Sequence, residues 1–227
     1  EKMVFSLDTL AQHRFAELHS VFVGIRQEIE EELLQQKQKI STVFVIPYTR
    51  TGRADVDDVG GKNANLAELG NTLGIRIPRG FAVTASAFQA VLEYNGLAPF
   101  IAGTLDEWRA ERCSGAEASQ RIRDRLLAAA LPGKLRRDLH GALATGDDGE
   151  GGWALRSSAL GEDSIHSFAG QYTSCINIRK GGVDQAYLQV LAGLYNESAL
   201  VYRRTMGFKE SEMAMPVACQ ELIDAKV

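Results

Sequence analysis

From residue 42 onward, short runs of β-branched and aromatic residues alternate with helical patterns, and no segment repeats. Each run is bounded by proline, glycine or polar residues, which is typical of strands. The predicted strands are residues 43–46, 81–83, 153–155, 175–178 and 213–220. Strands and helices that interleave in this way indicate a mixed α/β domain.

The helices between these strands are predicted from apolar residues three and four positions apart. Gly74 is the expected stop of a helix that follows residue 61, and Thr84 is the expected N-cap of a helix running to about residue 94. Pro132 and Gly133 separate two amphipathic helices. These boundary residues define the helical segments without fixing how they pack.

Residues 7–40 have a different character. Apolar residues alternate four and three positions apart over about three heptads, at Ala11, Phe15, Leu18, Phe22, Ile25 and Ile29. One interpretation is a dimerising coiled coil, or a signalling helix that joins an upstream domain. The other is an amphipathic helix packed on its own domain, and the pattern does not separate them. We therefore divide the chain into a helical extension at residues 1–41 and a domain at residues 42–227.

Composition excludes several classes of protein. A net charge of −4 argues against a general nucleic-acid surface. Three cysteines without CxxC spacing are typical of a reducing compartment, and the four histidines have no metal-ligand spacing. No apolar run is long enough to span a bilayer, and residues 1–30 carry charge throughout, so we expect no secretory signal in this segment. We expect a soluble cytoplasmic protein with no membrane or nucleic-acid partner and no metal ligands within this sequence.

The first candidate binding motif is Gly60-Gly61-Lys62 before a predicted helix. A helix N-terminus presents unpaired N–H groups and a partial positive charge, both of which favour phosphate. Glycines let the backbone approach a ligand closely, and lysine adds a mobile cation. The segment does not match the Walker A pattern, and a Gly-Gly turn before a helix also occurs without any ligand.

The second candidate is Arg156, at the end of a predicted strand and followed by Ser157. A guanidinium group is a planar fork suited to phosphate oxygens, although an arginine in this position is often only a salt-bridge partner. Residues 161–170 form a polar loop with glycines at both ends, as a flap over phosphates would have. The formal G-x-G-x-x-A match at residues 149–154 precedes a strand, so it is not a dinucleotide fingerprint.

Together these segments resemble the N-terminal nucleotide-binding domain of the phosphoenolpyruvate synthase and pyruvate phosphate dikinase family. The resemblance covers about residues 42–227 and preserves the order and spacing of its motifs. The motifs are VGGKNANLAEL at 59–69, IPRGFAVT at 77–84, LRSSALGED at 155–163, SFAGQY at 167–172, YRR at 202–204 and MAMPVACQEL at 213–222. Leu160 is a departure, because the synthases commonly have threonine there.

The resemblance implies part of an ATP-grasp fold, in which two subdomains clamp ATP and Mg²⁺. Lys62 and Arg156 would contact the ATP phosphates as the catalytic cations. The loop at residues 161–170 would cover them, and the strand at residues 217–223 would meet adenine through its backbone. The full set of expected cofactor-binding residues is Gly60, Gly61, Lys62, Arg156, Ser157, Ser167, Gly170, Gln220, Glu221 and Leu222.

The family's metal-binding carboxylate, its phosphocarrier histidine and its pyruvate-binding barrel all follow the segment that this sequence contains. The resemblance therefore implies the ATP-binding portion of a phosphotransferase, with transfer from ATP to histidine and then to pyruvate in the whole family protein. We expect the 227-residue chain to be a piece of a longer kinase or transferase that is inactive alone. Its expected partners are ATP, an acceptor reached through other domains, and a second copy through residues 7–40.

Two alternatives remain at this point. Related family members phosphorylate an antibiotic or a glucan instead of pyruvate, and this part of the chain does not separate the acceptors. The second alternative is a degenerate ATP-grasp domain that serves as a regulatory or binding module. The N-terminal helix would then couple it to an upstream sensor domain.

Overall fold

The computed structural model describes residues 17–38, 43–144, 152–160, 172–208, 210 and 213–223. The chain divides into two compact units, Glu1–Ser41 and Thr42–Val227. In the first unit, helix α1 spans Glu17–Gln38. Of the apolar seam, Ala11 and Phe15 lie outside the described residues, Phe22 is half-buried, and Ile25 and Ile29 are 52% and 53% exposed.

The second unit is built on a five-stranded sheet in which every neighbouring pair of strands is antiparallel. Its strands are β1 (Val45–Pro47), β2 (Gly80–Val83), β3 (Trp153–Ser157), β4 (Ser174–Ile178) and β5 (Val217–Glu221). Their order across the sheet is β1-β2-β5-β3-β4. The last strand in the described sequence is therefore the central strand of the sheet.

Helices connect these strands and confirm the predicted mixed α/β class. They are α2 (Val56–Val59), α3 (Gly61–Asn71), α4 (Ala85–Tyr94), α5 (Leu97–Arg109), α6 (Gly115–Leu127), α7 (Gly133–Ala144), α8 (Val183–Gly193) and α9 (Glu197–Met206). Thr84 caps α4 as expected, with its Oγ1 accepting a hydrogen bond from the Ala87 N–H at 3.3 Å. Pro132 separates α6 from α7, which begins at Gly133.

Three predicted boundaries were wrong. Strand β1 includes Pro47, which an edge strand tolerates because one side of its backbone needs no partner. Helix α3 ends at Asn71, before Gly74, which has the left-handed φ of 64°. Strand β5 begins at Val217 rather than at residue 213. Pro216 has no N–H to donate, although its carbonyl accepts from the Ser158 N–H at 2.9 Å.

The two faces of the sheet bury different cores. Phe81, Leu155 and Cys219 belong to the larger core, which also includes side chains of α4 to α9. Ala82 faces the opposite way and joins a small core with side chains of Tyr48, α2 and α3. Successive strand residues point to opposite faces, so neighbouring positions separate into these two cores. The small core is the one that places α3 over the centre of the sheet.

In the part of the chain that the structure describes, no helix has the length and apolar character needed to cross a membrane.

Candidate functional site

A pocket of about 520 Å³ opens between α3 and the strands β3 and β5. It brings together four residues that the sequence singled out from distant segments, namely Lys62, Arg156, Ser157 and Gln220. The remaining lining residues are Asn65, Leu66, Leu69, Pro78 and Ala218. The pocket thus has cationic and polar groups together with an apolar wall.

The strand register places Arg156 and Gln220 on the pocket side of the sheet. Arg156 pairs with Ala218, and Ala154 pairs with Gln220. Directly paired residues point to the same face, so all four share the face that α3 covers. Because two of the four are alanines, the long side chains of Arg156 and Gln220 have room beside them.

Gly60 sets the close approach of α3 to the segment after β3. Its φ is +76°, and a Cβ at this position would lie 1.8 Å from the carbonyl oxygen of Ser158. The Asn63 N–H, in the first turn of α3, donates to Ser158 Oγ at 3.3 Å. Gly60 therefore allows a close backbone approach, but the group that it approaches is Ser158 and not a ligand, so the ligand contact expected of the glycine pair stays a prediction. Gly61 is the first residue of α3.

Positive charge dominates the ionisable groups of the pocket. Lys62 and Arg156 are both exposed, and the lining residues that the structure describes include no carboxylate. Within the described residues, the Arg156 guanidinium has neither a hydrogen bond nor an ion pair. The salt-bridge interpretation of Arg156 therefore has no support in the described structure, although Glu162 and Asp163 lie outside it. Two cations in a pocket whose described lining contains no carboxylate favour the binding of anions.

Beneath the pocket lies a hydrogen-bonded group that sequence reasoning missed. Tyr48 is 3% exposed, and its hydroxyl donates to Asn63 Oδ1 at 2.8 Å while accepting from Gln220 Nε2 at 3.2 Å. Burial raises the pKa of Tyr48, more than the hydrogen bond with Gln220 lowers it. The only sequence signal for this role was that Asn63 belongs to the Gly-Gly-Lys-Asn motif, and Tyr48 had none.

Two other expected contact residues lie away from the pocket lining. The Glu221 carboxylate accepts from Arg79 Nε at 3.0 Å, and the Glu221 N–H donates to the Arg79 carbonyl at 2.9 Å. The Leu222 N–H donates to the Gly152 carbonyl at 2.9 Å, and its side chain is 41% exposed. Both N–H groups are thus already hydrogen-bonded, and the adenine contact expected at residues 217–223 stays a prediction. Ser167 and Gly170 lie outside the described residues.

A magnesium ion does not fit the described lining by itself. Mg²⁺ prefers carboxylate and water oxygens, and the side chains of the described lining instead offer two cations and two amides. Across the described residues, no group of three or more His, Cys, Asp or Glu side chains has an arrangement that could hold a metal. The chemistry available from these residues is therefore anion binding and hydrogen bonding.

Most of this chain is similar to known proteins. Residues 56–227 match the family described as "Pyruvate phosphate dikinase, AMP/ATP-binding domain". A phosphoenolpyruvate synthase of Pseudomonas aeruginosa is 36% identical over 191 residues, which cover 79% of this chain and 24% of that protein. A phosphoenolpyruvate synthase of Escherichia coli is 34% identical, covering 81% of this chain and 24% of that protein.

A rifampicin phosphotransferase of Bacillus cereus is 31% identical over 183 residues, covering 79% of this chain and 21% of that protein. The chain thus spans about a quarter of the length of the curated relatives that it matches. The match of residues 56–227 includes all the lining residues of the pocket. The chain belongs to the family of pyruvate phosphate dikinase AMP/ATP-binding domains.

Proposed function

We propose that the chain is the ATP-binding part of a phosphotransferase related to phosphoenolpyruvate synthase and pyruvate phosphate dikinase, and that its pocket receives the ATP phosphates. The observation that carries this proposal is the convergence of Lys62 and Arg156, from separate parts of the sequence, on one pocket. Family membership supports the nucleotide, because the matching family is described by its AMP/ATP-binding domain.

The two cations suit different parts of a polyphosphate. The Arg156 guanidinium offers a planar pair of donors for two phosphate oxygens, whereas the Lys62 ammonium is a flexible point charge. Ser157 also lines the pocket, but it is buried and follows Arg156 directly along β3, so its side chain points to the opposite face of the sheet. Phosphoryl transfer depends on positioning and on stabilising the charge of the transferred group, and the two cations supply both.

The remaining wall suits the less polar part of a nucleotide. Leu66, Leu69, Pro78 and Ala218 provide apolar contact for a base or a sugar face. A pocket of about 520 Å³ is also within the usual range for small-molecule sites. An apolar wall beside two cations matches the division of ATP into a nucleoside and a triphosphate.

The names of the relatives support a proposal for the activity of the longer protein. Phosphoenolpyruvate synthases and rifampicin phosphotransferases share this part of the chain, so we propose that the acceptor is pyruvate or an antibiotic bound by other domains. We propose an ATP-grasp clamp as the complete fold, with ATP entering as its Mg²⁺ complex and the metal ligands lying outside the described lining. A cytoplasmic location is consistent with ATP as the substrate.

The test is calorimetric titration of the chain with Mg·ATP. Lys62→Ala and Arg156→Ala are each expected to weaken binding about ten- to a hundredfold, the effect of losing one charge-assisted contact. Arg137→Ala is the matched control, because it removes an exposed cation on α7 that does not line the pocket. Unchanged affinity in both pocket variants would show that the phosphates bind elsewhere.

We also propose that a second copy of the chain pairs along α1. The support is the exposure of Ile25 and Ile29, at 52% and 53%, on the predicted heptad seam. Val21, one turn before Ile25, is 54% exposed and widens the apolar stripe.

A further inference from the structure

We propose that Tyr48 is a positioning residue that fixes which end of the Gln220 side-chain amide faces the nucleotide. This inference rests on the proposed function, because it concerns the same pocket. A series of hydrogen bonds runs from the backbone of α2 through Asn63 and Tyr48 to Gln220 at the pocket wall.

The first step is the orientation of the Asn63 amide. Asn63 is fully buried, and its Nδ2 donates to the Val59 carbonyl oxygen at 2.8 Å. A carbonyl oxygen only accepts, so the nitrogen end of Asn63 must face Val59. Its Oδ1 is therefore turned toward Tyr48, where it requires a donor.

The second step is the single proton of the Tyr48 hydroxyl. Tyr48 Oη lies 2.8 Å from Asn63 Oδ1 and donates to it. Because burial raises the pKa of Tyr48, the hydroxyl keeps this proton over the ordinary pH range. Having one proton, the hydroxyl has no second one to give to Gln220, so toward that residue it can only accept.

The third step fixes Gln220. Its Nε2 donates to Tyr48 Oη at 3.2 Å, which leaves Oε1 as the free acceptor end of the amide. Within the described residues, Gln220 Oε1 has no hydrogen-bond donor, and Gln220 lines the pocket. Reversing the Gln220 amide would place Oε1 against Tyr48 Oη, so that two acceptors would face each other. If the Tyr48 proton turned toward Oε1 instead, the buried Asn63 Oδ1 would lose its donor. Leaving a buried acceptor unpaired is costly, so the orientation is held.

The consequence is that Gln220 Oε1 offers a selective polar contact in a pocket whose charged groups, Lys62 and Arg156, suit anions. An acceptor at Gln220 favours a ligand group that donates, which on ATP means the 6-amino group of adenine or a ribose hydroxyl. A 6-oxo purine presents an acceptor at the same position and is disfavoured. Tyr48 thus contributes to nucleotide selection without itself lining the pocket.

The experiment compares Tyr48→Phe with the unmodified chain in titrations with ATP, ITP and 2′-deoxyATP, each with Mg²⁺. We expect ATP affinity to fall about three- to tenfold, the effect of one mispositioned neutral hydrogen bond. The affinity ratio of ATP to ITP should fall if the amino group is the donor, and that of ATP to 2′-deoxyATP if the ribose is. Tyr187→Phe is the control: it removes an equally buried hydroxyl, in the larger core, that has no hydrogen-bond partner among the described residues.

Gln220→Met provides a second route, because Gln220 is only partly buried and the substitution keeps its shape. It should reduce the same ratio, and adding Tyr48→Phe should then have no further effect on that ratio. Equal weakening of ATP, ITP, 2′-deoxyATP and inorganic triphosphate in Tyr48→Phe would overturn the inference, as would unchanged ratios in Gln220→Met. If Lys62→Ala and Arg156→Ala bind ATP normally, the proposed function fails instead.

Discussion

Gly60 and Ser158 are in contact at a distance that leaves no space for a side chain on Gly60. A Cβ there would lie 1.8 Å from Ser158 O and 2.5 Å from Ser158 Oγ. This contact joins the start of α3 to the end of β3, and so joins the two elements that carry Lys62 and Arg156. The separation of the two cations depends on it.

Gly60→Ala should therefore weaken both the fold and the site. The backbone angles of φ 76° and ψ 159° belong to a region that essentially only glycine occupies, and the added methyl group also meets backbone. We expect a loss of about 2–4 kcal/mol in the free energy of unfolding. Urea denaturation measures this loss, and ATP titration of the folded fraction should show weakened binding.

Gly141→Ala is the matched control for Gly60→Ala. Gly141 lies within α7, and its added Cβ would meet nothing within 4 Å. Alanine has the higher helix propensity, so this variant should gain roughly 0.5–1 kcal/mol. A stable Gly60→Ala variant that binds ATP normally would show that α3 tolerates displacement from Ser158.

The free energy of unfolding should depend on the protonation of Asp58, which lies in α2 just before the Gly60-Gly61-Lys62 segment. Burial raises the pKa of Asp58, and the neighbouring carboxylates of Asp55 and Asp57 raise it further. A carboxyl group with a raised pKa binds its proton more tightly in the folded state. Its charged form therefore costs stability above the folded pKa, and this cost disappears as the pH falls below the unfolded pKa.

Asp58→Asn is accordingly expected to raise the melting temperature at pH 7. The difference from the unmodified chain should shrink as the pH falls through the acidic range and vanish near pH 3, where the carboxyl is protonated in both states. Thermal melts at a series of pH values check this sign. A difference that grew toward low pH would contradict it.

Association through α1 predicts a concentration-dependent dimer. Light scattering should show a mass near twice that of the chain, and removal of residues 1–40 should give a monomer. The double variant Ile25→Asp with Ile29→Asp should also be a monomer, because each helix of a pair would bury two charges at the seam. Gln27→Asp adds charge at an exposed position of α1 outside the seam and should leave the dimer intact. A monomeric unmodified chain at high concentration would exclude this pairing.

Several elements were predictable because their signals are local. Thr84 before an apolar helical pattern and Pro132 between two others act within a few residues of themselves, and the structure confirms both. Motif order was also sufficient to identify the family, since residues 56–227 match it. The boundaries at Gly74 and residue 213 were wrong because an apolar pattern does not report where backbone pairing begins or ends.

The site shows the same division between local and distant information. By itself, the sequence determined the mixed α/β class, the family and the side chains able to bind phosphate, because these depend on residue type and short spacing. The resemblance implied that Lys62, Arg156 and Gln220 share a nucleotide site, but only the tertiary structure decided that they line one pocket, because this requires β5 to lie between β2 and β3. The role of Tyr48 was equally hidden, since its partners Asn63 and Gln220 become neighbours only when α3 packs on the sheet. Such contacts arise from strand order and register, which no local pattern in one sequence records.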